Sequence, residues 1–280
     1  MFRIKKLCFV PAGVPLSSSD TSTISGLKRV KELNLDGMEM EFVQGVRMSE
    51  KTAIEIGKFA EGNHLVLTAH GPYFINLNAK EKEKVEKSIE RIYQTAKIAH
   101  IASGYSITFH AGFYFQDDRE IAYRTARDNL SRVIEKLKSE KIEIWVRPEL
   151  TGKKTQIGSF EELLKFSSEL DQVMPCIDFA HYVARENGLT NDEKYFRYIF
   201  DGIEKNLGKA GLENMHIHMS GINYSEKGER NHLNLQESSL KWKKIIELLH
   251  EYNVKGVVVS ESPNIEKDAI LMKTYYNSLK

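Results

Sequence analysis

The chain has 280 residues, with 40 Lys and Arg against 39 Asp and Glu, so its net charge is +1. A charge so close to zero excludes a strongly basic nucleic-acid binder and leaves only a local positive rim for such contacts. With 41% hydrophobic and 28% charged residues, the composition is that of a globular chain and excludes a disordered one.

Neither the cysteines nor the apolar runs indicate a secreted or membrane protein. Cys8 and Cys176 lie in apolar segments, which predicts two reduced core thiols rather than a disulfide framework. The basic start is followed only by a short apolar run, Leu7–Val10, unlike a secretory signal. No apolar stretch approaches the length of about 20 residues that crosses a bilayer. We therefore expect a cytoplasmic protein without membrane contact.

Eight short apolar segments alternate with longer charged segments along the chain. The short ones are rich in Val, Ile, Leu, Phe and Met, as expected of strands buried on both faces of a parallel sheet. They are Leu7–Pro11, Gly37–Val43, His64–His70, Tyr105–His110, Ile142–Glu149, Val173–Asp178, Asn214–Ser220 and Gly256–Glu261. The longer segments repeat apolar residues every three or four positions, as at Val85, Ile89 and Ile92, which predicts helices. Ser49 and Ser159 are predicted N-caps.

This alternation predicts an α/β fold, a (β/α)8 TIM barrel formed as one domain by residues 1–280. Crossover units repeated eight times can close into a barrel, and no Pro-, Gly- or Ser-rich linker divides the chain. The only long irregular stretch is Ser220–His232. An open doubly wound sheet has the same alternation of elements. The early turns contain no GxGxxG or GxxxxGK[ST] phosphate loop, which favours the closed barrel.

Imidazoles and carboxylates follow the predicted strands at the points where they end. From the third strand to the eighth, these residues are His70, His110, Glu149, Asp178, His216 or His218, and Glu261, with His181, Glu229 and His232 nearby in sequence. In a parallel barrel all these strand ends meet at one face. Carboxylates and imidazoles gathered there need a cation among them. The sequence therefore predicts two or three divalent ions, Zn²⁺ with Mn²⁺ or Fe²⁺ as alternatives.

Other histidines and acids fit this pattern less well. His64, His100 and His250 do not lie at strand ends, and we predict structural or surface roles for them. Glu39 and Glu41 alternate on the second strand, so both can face the barrel interior. A packed salt bridge inside the barrel explains this pair equally well.

Four segments of the chain resemble signature segments of the endonuclease IV family. They are His70-Gly71-Pro72-Tyr73 with Ile75-Asn76-Leu77, Phe109-His110-x-Gly112, Asp178-x-x-His181, and Ser260-Glu261-Ser262-Pro263-Asn264. The resemblance implies a TIM barrel with a trinuclear zinc site, in which manganese or iron can occur. It also implies cleavage of double-stranded DNA on the 5′ side of abasic sites. That family belongs to a wider group of xylose-isomerase-like barrels, which includes sugar isomerases and epimerases.

Carried over to this chain, the resemblance assigns the residues to three ions. It makes Glu149 a bridge between two ions, gives the first site His70 and His110, the second Asp178, Glu261 and a strand-seven histidine, and the third His181, Glu229 and His232. The strand-seven ligand stays open. His216 follows Met215 as the family's ligand does, whereas His218 begins the better-aligned turn with Ser220, and we favour His218.

Three departures from the family pattern bear on the substrate. Glu229 and His232 are three positions apart, whereas the family has Asp-x-His. The DNA-intercalating loop is not recognisable in 44–47, and Arg147 with Pro148 before the bridging Glu is unusual. The metal centre is therefore predicted more firmly than the abasic-DNA substrate.

The mechanism expected from this resemblance is phosphodiester hydrolysis. Glu149 and Glu261 are the predicted catalytic carboxylates, one of which orients the attacking hydroxide. Tyr73 is predicted to contact the phosphate backbone or the sugar. The predicted phosphate contacts are Arg147, Arg230, Lys227 and Arg185. Such contacts make DNA binding dependent on salt.

Two other classes of function compete with this hypothesis. A sugar isomerase or ketose epimerase needs one ion held by two Glu, an Asp and a His, with carboxylates as acid and base. Glu149, Asp178, His218 and Glu261 alone meet that need, but the additional histidines favour the hydrolase. A non-enzymatic DNA-binding protein agrees poorly with open metal sites and a near-neutral charge. We expect the chain to act as a monomer.

Overall fold

The computed structural model describes residues 4–279. Its eight central strands are β1 (Leu7–Pro11), β2 (Gly37–Glu41), β3 (Val66–His70), β4 (Ser106–Phe109), β5 (Trp145–Pro148), β6 (Cys176–Asp178), β7 (Met215–Met219) and β8 (Gly256–Ser260). The helices are α1 (Thr23–Glu32), α2 (Glu50–Gly62), α3 (Lys82–Ile101), α4 (Arg119–Ser139), α5 (Phe160–Glu169), α6 (Phe179–Arg185), α7 (Glu193–Leu212), α8 (Trp242–Glu251) and α9 (Glu266–Ser278). Each central strand overlaps one predicted strand segment.

The central strands form two four-stranded parallel sheets that join at two seams. One sheet has the order β1-β8-β7-β6 and the other β2-β3-β4-β5. Parallel bridges connect Ala12 of the β1 end to Glu39 of β2, and Glu149 after β5 to Cys176 of β6. The sheet therefore closes on itself as the predicted (β/α)8 barrel. Because all neighbouring central strands are parallel, their carboxyl ends share one face.

The apolar faces of the helices pack on the outside of the strands. Val85, Ile89 and Ile92 of α3 are buried in the main core, as the periodicity predicts. Ser49 accepts a hydrogen bond from the Thr52 amide, and Ser159 forms a capping box with Glu162, so both predicted N-caps are confirmed. Each such cap stabilises its helix by about 1 kcal/mol. Cys8 and Cys176 are buried free thiols, as expected.

Two short strand pairs add to the carboxyl-terminal face. Gly112–Phe113 pairs with Gln156–Ile157, and Gly221–Ser225 pairs with Gly228–Leu233. The second pair, here called the mouth hairpin, occupies most of the stretch that the sequence pattern predicted as irregular. The prediction of an irregular stretch was wrong. These strands could not be recognised from the sequence because the stretch lacks a long apolar run.

The mouth hairpin lies against the loop that follows β5. Gly228 has a φ of 93°, and a Cβ on it would lie 2.3 Å from the Gly152 carbonyl oxygen. The Glu229 amide donates a hydrogen bond of 3.0 Å to that same oxygen. Glycine at both positions therefore lets the hairpin approach the loop closely. Within residues 4–279, no helix combines the length and the apolar character that crossing a membrane requires.

Candidate metal centre

The carboxylate of Glu149 lies at the centre of the imidazole cluster. Its Oε2 is 3.2 Å from Nε2 of His70, and its Oε1 is 3.3 Å from Nε2 of His110. The same Oε1 lies 3.1 Å from Nδ1 of His181 and 3.6 Å from Nδ1 of His218. Two oxygens that face different imidazoles are the arrangement of a carboxylate able to bridge two ions.

Backbone carbonyl groups fix the orientation of three imidazoles. Nδ1 of His70 donates to the Gly71 oxygen at 2.7 Å. Nδ1 of His181 lies 3.0 Å from the Leu150 oxygen, and Nδ1 of His232 lies 3.1 Å from the Glu261 oxygen. A carbonyl oxygen only accepts, so in the neutral rings Nδ1 carries the proton and Nε2 a lone pair. Such hydrogen bonds are typical of metal-binding histidines.

His181 and His232 face each other at the base of the mouth hairpin. Their Nε2 atoms are 3.5 Å apart, and Nε2 of His181 is also 3.5 Å from a carboxylate oxygen of Glu229. Two lone pairs and a carboxylate at this distance repel unless a proton or a metal ion lies between them. Two imidazole ligands on one tetrahedral zinc ion have nitrogens about 3.3 Å apart, given Zn–N bonds of about 2.05 Å. The pair therefore suits a shared ion.

A third group of donors lies on the other side of Glu149. Ligand atoms of Glu149, Asp178, His218 and Glu261 all lie within 4.8 Å of one another. Nδ1 of His218 is 3.3 Å from Oε1 of Glu261. Asp178 is also the N-cap of α6, where Oδ1 accepts from the His181 amide at 2.6 Å and holds the two side chains in register.

Only one of the two strand-seven histidines reaches this cluster. His216 lies deeper in the barrel, with Nδ1 2.8 Å from Oγ of Ser106 and Nε2 3.0 Å from Glu39. Among residues 4–279, it forms a possible ligand group only with Cys176 and His218. Burial raises the pKa of the Cys176 thiol to about 12, so in metal-free protein this side chain is a neutral thiol. The geometry therefore favours His218 as the ligand and places His216 beneath it.

The charges of the cluster perturb the acids in opposite directions. Burial disfavours the ionised form of Glu149 and Glu261, but the nearby positive histidines outweigh it. The pKa of Glu149 falls well below its usual value, and that of Glu261 falls to about 2. Burial raises the pKa of Asp178 to about 7, and burial with the charge of Glu39 raises that of Glu41 to about 8. The cluster thus holds more acid than its histidines neutralise.

The histidines respond to the same imbalance. Burial opposes protonation of His70, but the hydrogen bond and charge of Glu149 raise its pKa to about 10. Across residues 4–279, no Lys or Arg forms an ion pair with the clustered carboxylates. The only counter-charges among these side chains are therefore histidine protons. A divalent ion can replace several of these protons at once.

The donor set fits zinc, manganese or iron. Oε1 of Glu149, Oδ2 of Asp178 and Oε2 of Glu261 are buried and lack a hydrogen-bond partner in the described part of the chain. Buried oxygens without donors are costly unless a cation contacts them. Imidazole nitrogens mixed with carboxylate oxygens are the ligands of these transition metals. All of the predicted ligands except His216 lie in this centre, and their roles as ligands stay predictions.

Comparison with known proteins assigns the barrel to a family. A sequence model of xylose isomerase-like TIM barrels matches residues 27–274. The chain belongs to that family. An uncharacterized protein of Methanocaldococcus jannaschii is 41% identical over 273 residues, covering 98% of each chain. A probable endonuclease 4 of Mycoplasma genitalium is 23% identical over 226 residues, covering 78% of this chain and 74% of that protein.

Solved structures of two kinds share the xylose isomerase-like barrel. Endonuclease IV from Thermus thermophilus superposes with a TM-score of 0.74 at 15% identity, covering 96% of this chain and 98% of that one. A D-tagatose 3-epimerase-like protein superposes with a TM-score of 0.71 at 19% identity, covering 96% and 97%. At such identities these structures confirm the fold and leave the reaction open.

Two predicted phosphate contacts are corrected by their positions in the barrel. Arg147 is wholly buried at the opposite end of the barrel interior, where its guanidinium donates to the Pro175 oxygen and to Asn214. Arg185 is buried too and donates to carbonyl groups of the loop after β5, including Lys153 and Gln156. Both side chains hold protein backbone, and neither is free to contact a substrate.

The remaining predicted contacts lie at the surface around the centre. Tyr73 is 64% exposed, with its ring centroid 6.0 Å from that of His70. Arg230 and Lys227 are exposed on the mouth hairpin. Their contacts with substrate stay predictions.

Two acids of β2 could not be assigned from the sequence. Glu39 contacts His216 and His218 inside the barrel, and Oε1 of Glu41 is buried without a hydrogen-bond partner among residues 4–279. The alternation of Glu39 and Glu41 on one strand was the available signal. It allowed both to face inward, with a packed salt bridge as an equal explanation, and did not indicate which histidines they meet.

Proposed function

We propose that the protein is a metal-dependent phosphodiester hydrolase that incises double-stranded DNA on the 5′ side of abasic sites. The observation that carries this proposal is the group of donors at the mouth hairpin. His181 and His232 face each other at 3.5 Å beside Glu229. A single-ion sugar enzyme needs only four ligands, whereas these donors lie outside that set. The similarity to a probable endonuclease 4 supports the same proposal.

The clustered side chains would hold two or three zinc ions. Glu149 would join the ion of His70 and His110 to that of Asp178, His218 and Glu261, and the hairpin donors would hold the third. The full set of proposed ligands is His70, His110, Glu149, Asp178, His181, His218, Glu229, His232 and Glu261. Bound ions would lower the pKa of water towards about 7 and neutralise charge on the phosphate.

The protein's own groups position the substrate. Glu261 has a side chain 14% exposed at the surface of the cluster, and in this proposal its carboxylate would orient the attacking water. Tyr73 stands at the rim beside His70 and offers a ring to the sugar. Arg230 on the mouth hairpin offers a positive charge to a phosphate, which would make binding weaker at higher salt. The monomeric state and the cytoplasmic location stay predictions from the sequence.

A second candidate is epimerisation of a ketose at a single ion. Glu149, Asp178, His218 and Glu261 form a compact four-ligand group within 4.8 Å. The barrel is shared with a D-tagatose 3-epimerase-like protein, so the fold is compatible with this reaction.

Metal content and incision decide between the two. Purified protein is analysed for zinc per chain and incubated with a duplex that carries one abasic site, with and without a chelator. We expect two to three zinc ions per chain and incision that the chelator abolishes and zinc restores. An undamaged duplex of the same sequence is the control. One ion per chain with epimerisation of a ketose would establish the second candidate, and absence of incision by zinc-loaded protein would refute the first.

A further inference from the structure

Glu39 is a carboxylate enclosed in the barrel, one layer below the metal centre. It lies in β2 with no exposed surface. Its Oε2 accepts a hydrogen bond of 2.7 Å from Oγ1 of Thr68 and lies 3.0 Å from Nε2 of His216. Its Oε1 lies 3.0 Å from Nε2 of His218. No Lys or Arg of the described chain pairs with it, so its charge acts on these two imidazoles.

His218 links Glu39 to the metal centre through its two nitrogens. Nε2 lies 3.0 Å from Oε1 of Glu39, a charge contact without the alignment of a hydrogen bond, whereas Nδ1 lies 3.3 Å from Glu261 and 3.6 Å from Glu149. A neutral imidazole has one proton and one lone pair. A carboxylate at Nε2 attracts the proton to that nitrogen. The lone pair is then left on Nδ1, which points at the cluster.

Other side chains hold Glu39 in this position. Thr68 donates to Oε2 from the neighbouring strand β3. His216 contacts the same oxygen, and its other nitrogen lies 2.8 Å from Oγ of Ser106 in β4. Side chains of β3 and β7 thus contact the carboxylate directly, and Ser106 of β4 holds His216. His216 does not reach the metal centre. Its contacts with Glu39 and Ser106 explain why it is buried.

We propose that Glu39 is a positioning residue for the metal centre: it fixes the tautomer and the ring orientation of His218, with His216 and Thr68 holding the carboxylate in place. This inference rests on the proposed metal-dependent function. Groups that orient metal-binding histidines typically change metal affinity by about 10- to 100-fold when they are removed.

The test is zinc affinity, measured by competition with a chromophoric chelator. Glu39→Gln keeps the shape of the side chain and removes its charge. We expect one zinc ion to bind about 10- to 100-fold more weakly, with the affinity for the other ions unchanged. Glu162→Gln is the matched control, because Glu162 is also buried but contacts Tyr114 and the start of α5. It should leave zinc affinity at the wild-type value.

A double-mutant cycle identifies the route of the effect. In a His218→Ala background the ligand is gone, so adding Glu39→Gln should produce no further loss of zinc affinity. Wild-type affinity in Glu39→Gln would overturn the inference while leaving the proposed function intact. An undiminished effect of Glu39→Gln in the His218→Ala background would also overturn it.

Two further outcomes bear on the inference. If wild-type protein binds no zinc, the metal centre itself is refuted and the inference falls with it. If circular dichroism shows that Glu39→Gln does not fold, Thr68→Val takes its place, since it removes the 2.7 Å hydrogen bond to the same carboxylate. Zinc affinity several-fold below wild type then supports the inference, and unchanged affinity contradicts it.

Discussion

The two ends of the barrel interior both contain buried charged side chains, but these differ in their hydrogen-bond partners. At the amino-terminal end, Arg147 donates to the Pro175 oxygen, to Asn214 and to the Tyr105 hydroxyl. At the carboxyl-terminal end, oxygens of Glu149 and other acids lack a hydrogen-bond donor in residues 4–279. Because its partners are fixed neutral groups, the charge of Arg147 has a structural role. Acceptors without donors make the second suited to a cation, as the proposed function requires.

The largest expected difference between the two ends is in catalysis. Glu149→Gln removes the carboxylate shared by four imidazoles. We expect the rate of abasic-site incision to fall by more than about 100-fold, because a ligand does more than the groups that orient it. The rate is measured at saturating zinc, with zinc per chain determined in parallel. Glu162→Gln serves as the control, and near-normal incision by Glu149→Gln would remove Glu149 from the mechanism.

The amino-terminal end should respond in stability and leave the centre unchanged. Arg147→Met removes the donor from several buried acceptors at once. We expect the free energy of unfolding to fall by about 1–3 kcal/mol, the cost of leaving such groups without partners. Denaturant titration measures this loss. Zinc affinity should equal that of the wild type, and a lower zinc affinity would show that the two ends are coupled.

The pH dependence of stability in metal-free protein tests the buried acids at the carboxyl-terminal end of the barrel. Burial raises the pKa of Asp178 to about 7 and that of Glu41 to about 8, and Glu149 outweighs burial to raise that of His70 to about 10. In unfolded protein these groups release their protons at about pH 3.9, 4.3 and 6.5. Around pH 7 to 8 the folded state therefore binds more protons than the unfolded state. Its stability must then fall as pH rises.

Urea titrations of chelator-treated protein between pH 6.5 and 8.5 check this direction. Zinc-loaded protein provides the contrast, because ions replace the protons and bind more tightly when the ligands are deprotonated. We expect the stabilisation produced by zinc to increase with pH across this window. Metal-free protein that gains stability towards pH 8.5 would contradict the assignment of these groups.

Much of the fold could be predicted from the sequence, because its signals are local. The alternation of buried strands with amphipathic helices predicted the barrel, and Ser49 and Ser159 predicted two helix starts. Strand ends shared by one face brought His70, His110 and Asp178 together. The mouth hairpin was missed because its strands are short and polar, with a register shift near Asn223.

The side-chain directions could not be predicted in the same way. Arg147 lies in β5 two positions before Glu149, but its long side chain extends to the amino-terminal end of the barrel, where it meets Pro175 and Asn214. The spacing of residues along a strand does not indicate how far along the barrel axis a side chain extends. The substrate role predicted for Arg147 was wrong for that reason. His216 and His218 show the same effect on β7, where only the later residue reaches the mouth.

The contact of Gly152 with the mouth hairpin has a consequence for how this barrel can diversify. A methyl group on Gly152 would lie 2.6 Å from Cβ of Glu229 and 3.0 Å from Cδ2 of His181. Any larger residue there must displace the hairpin and, with it, the donors that the hairpin carries. The compact group of Glu149, Asp178, His218 and Glu261 would stay where it is. A single substitution at Gly152 is therefore expected to disturb the donors of the mouth hairpin and to leave the four-residue group in place.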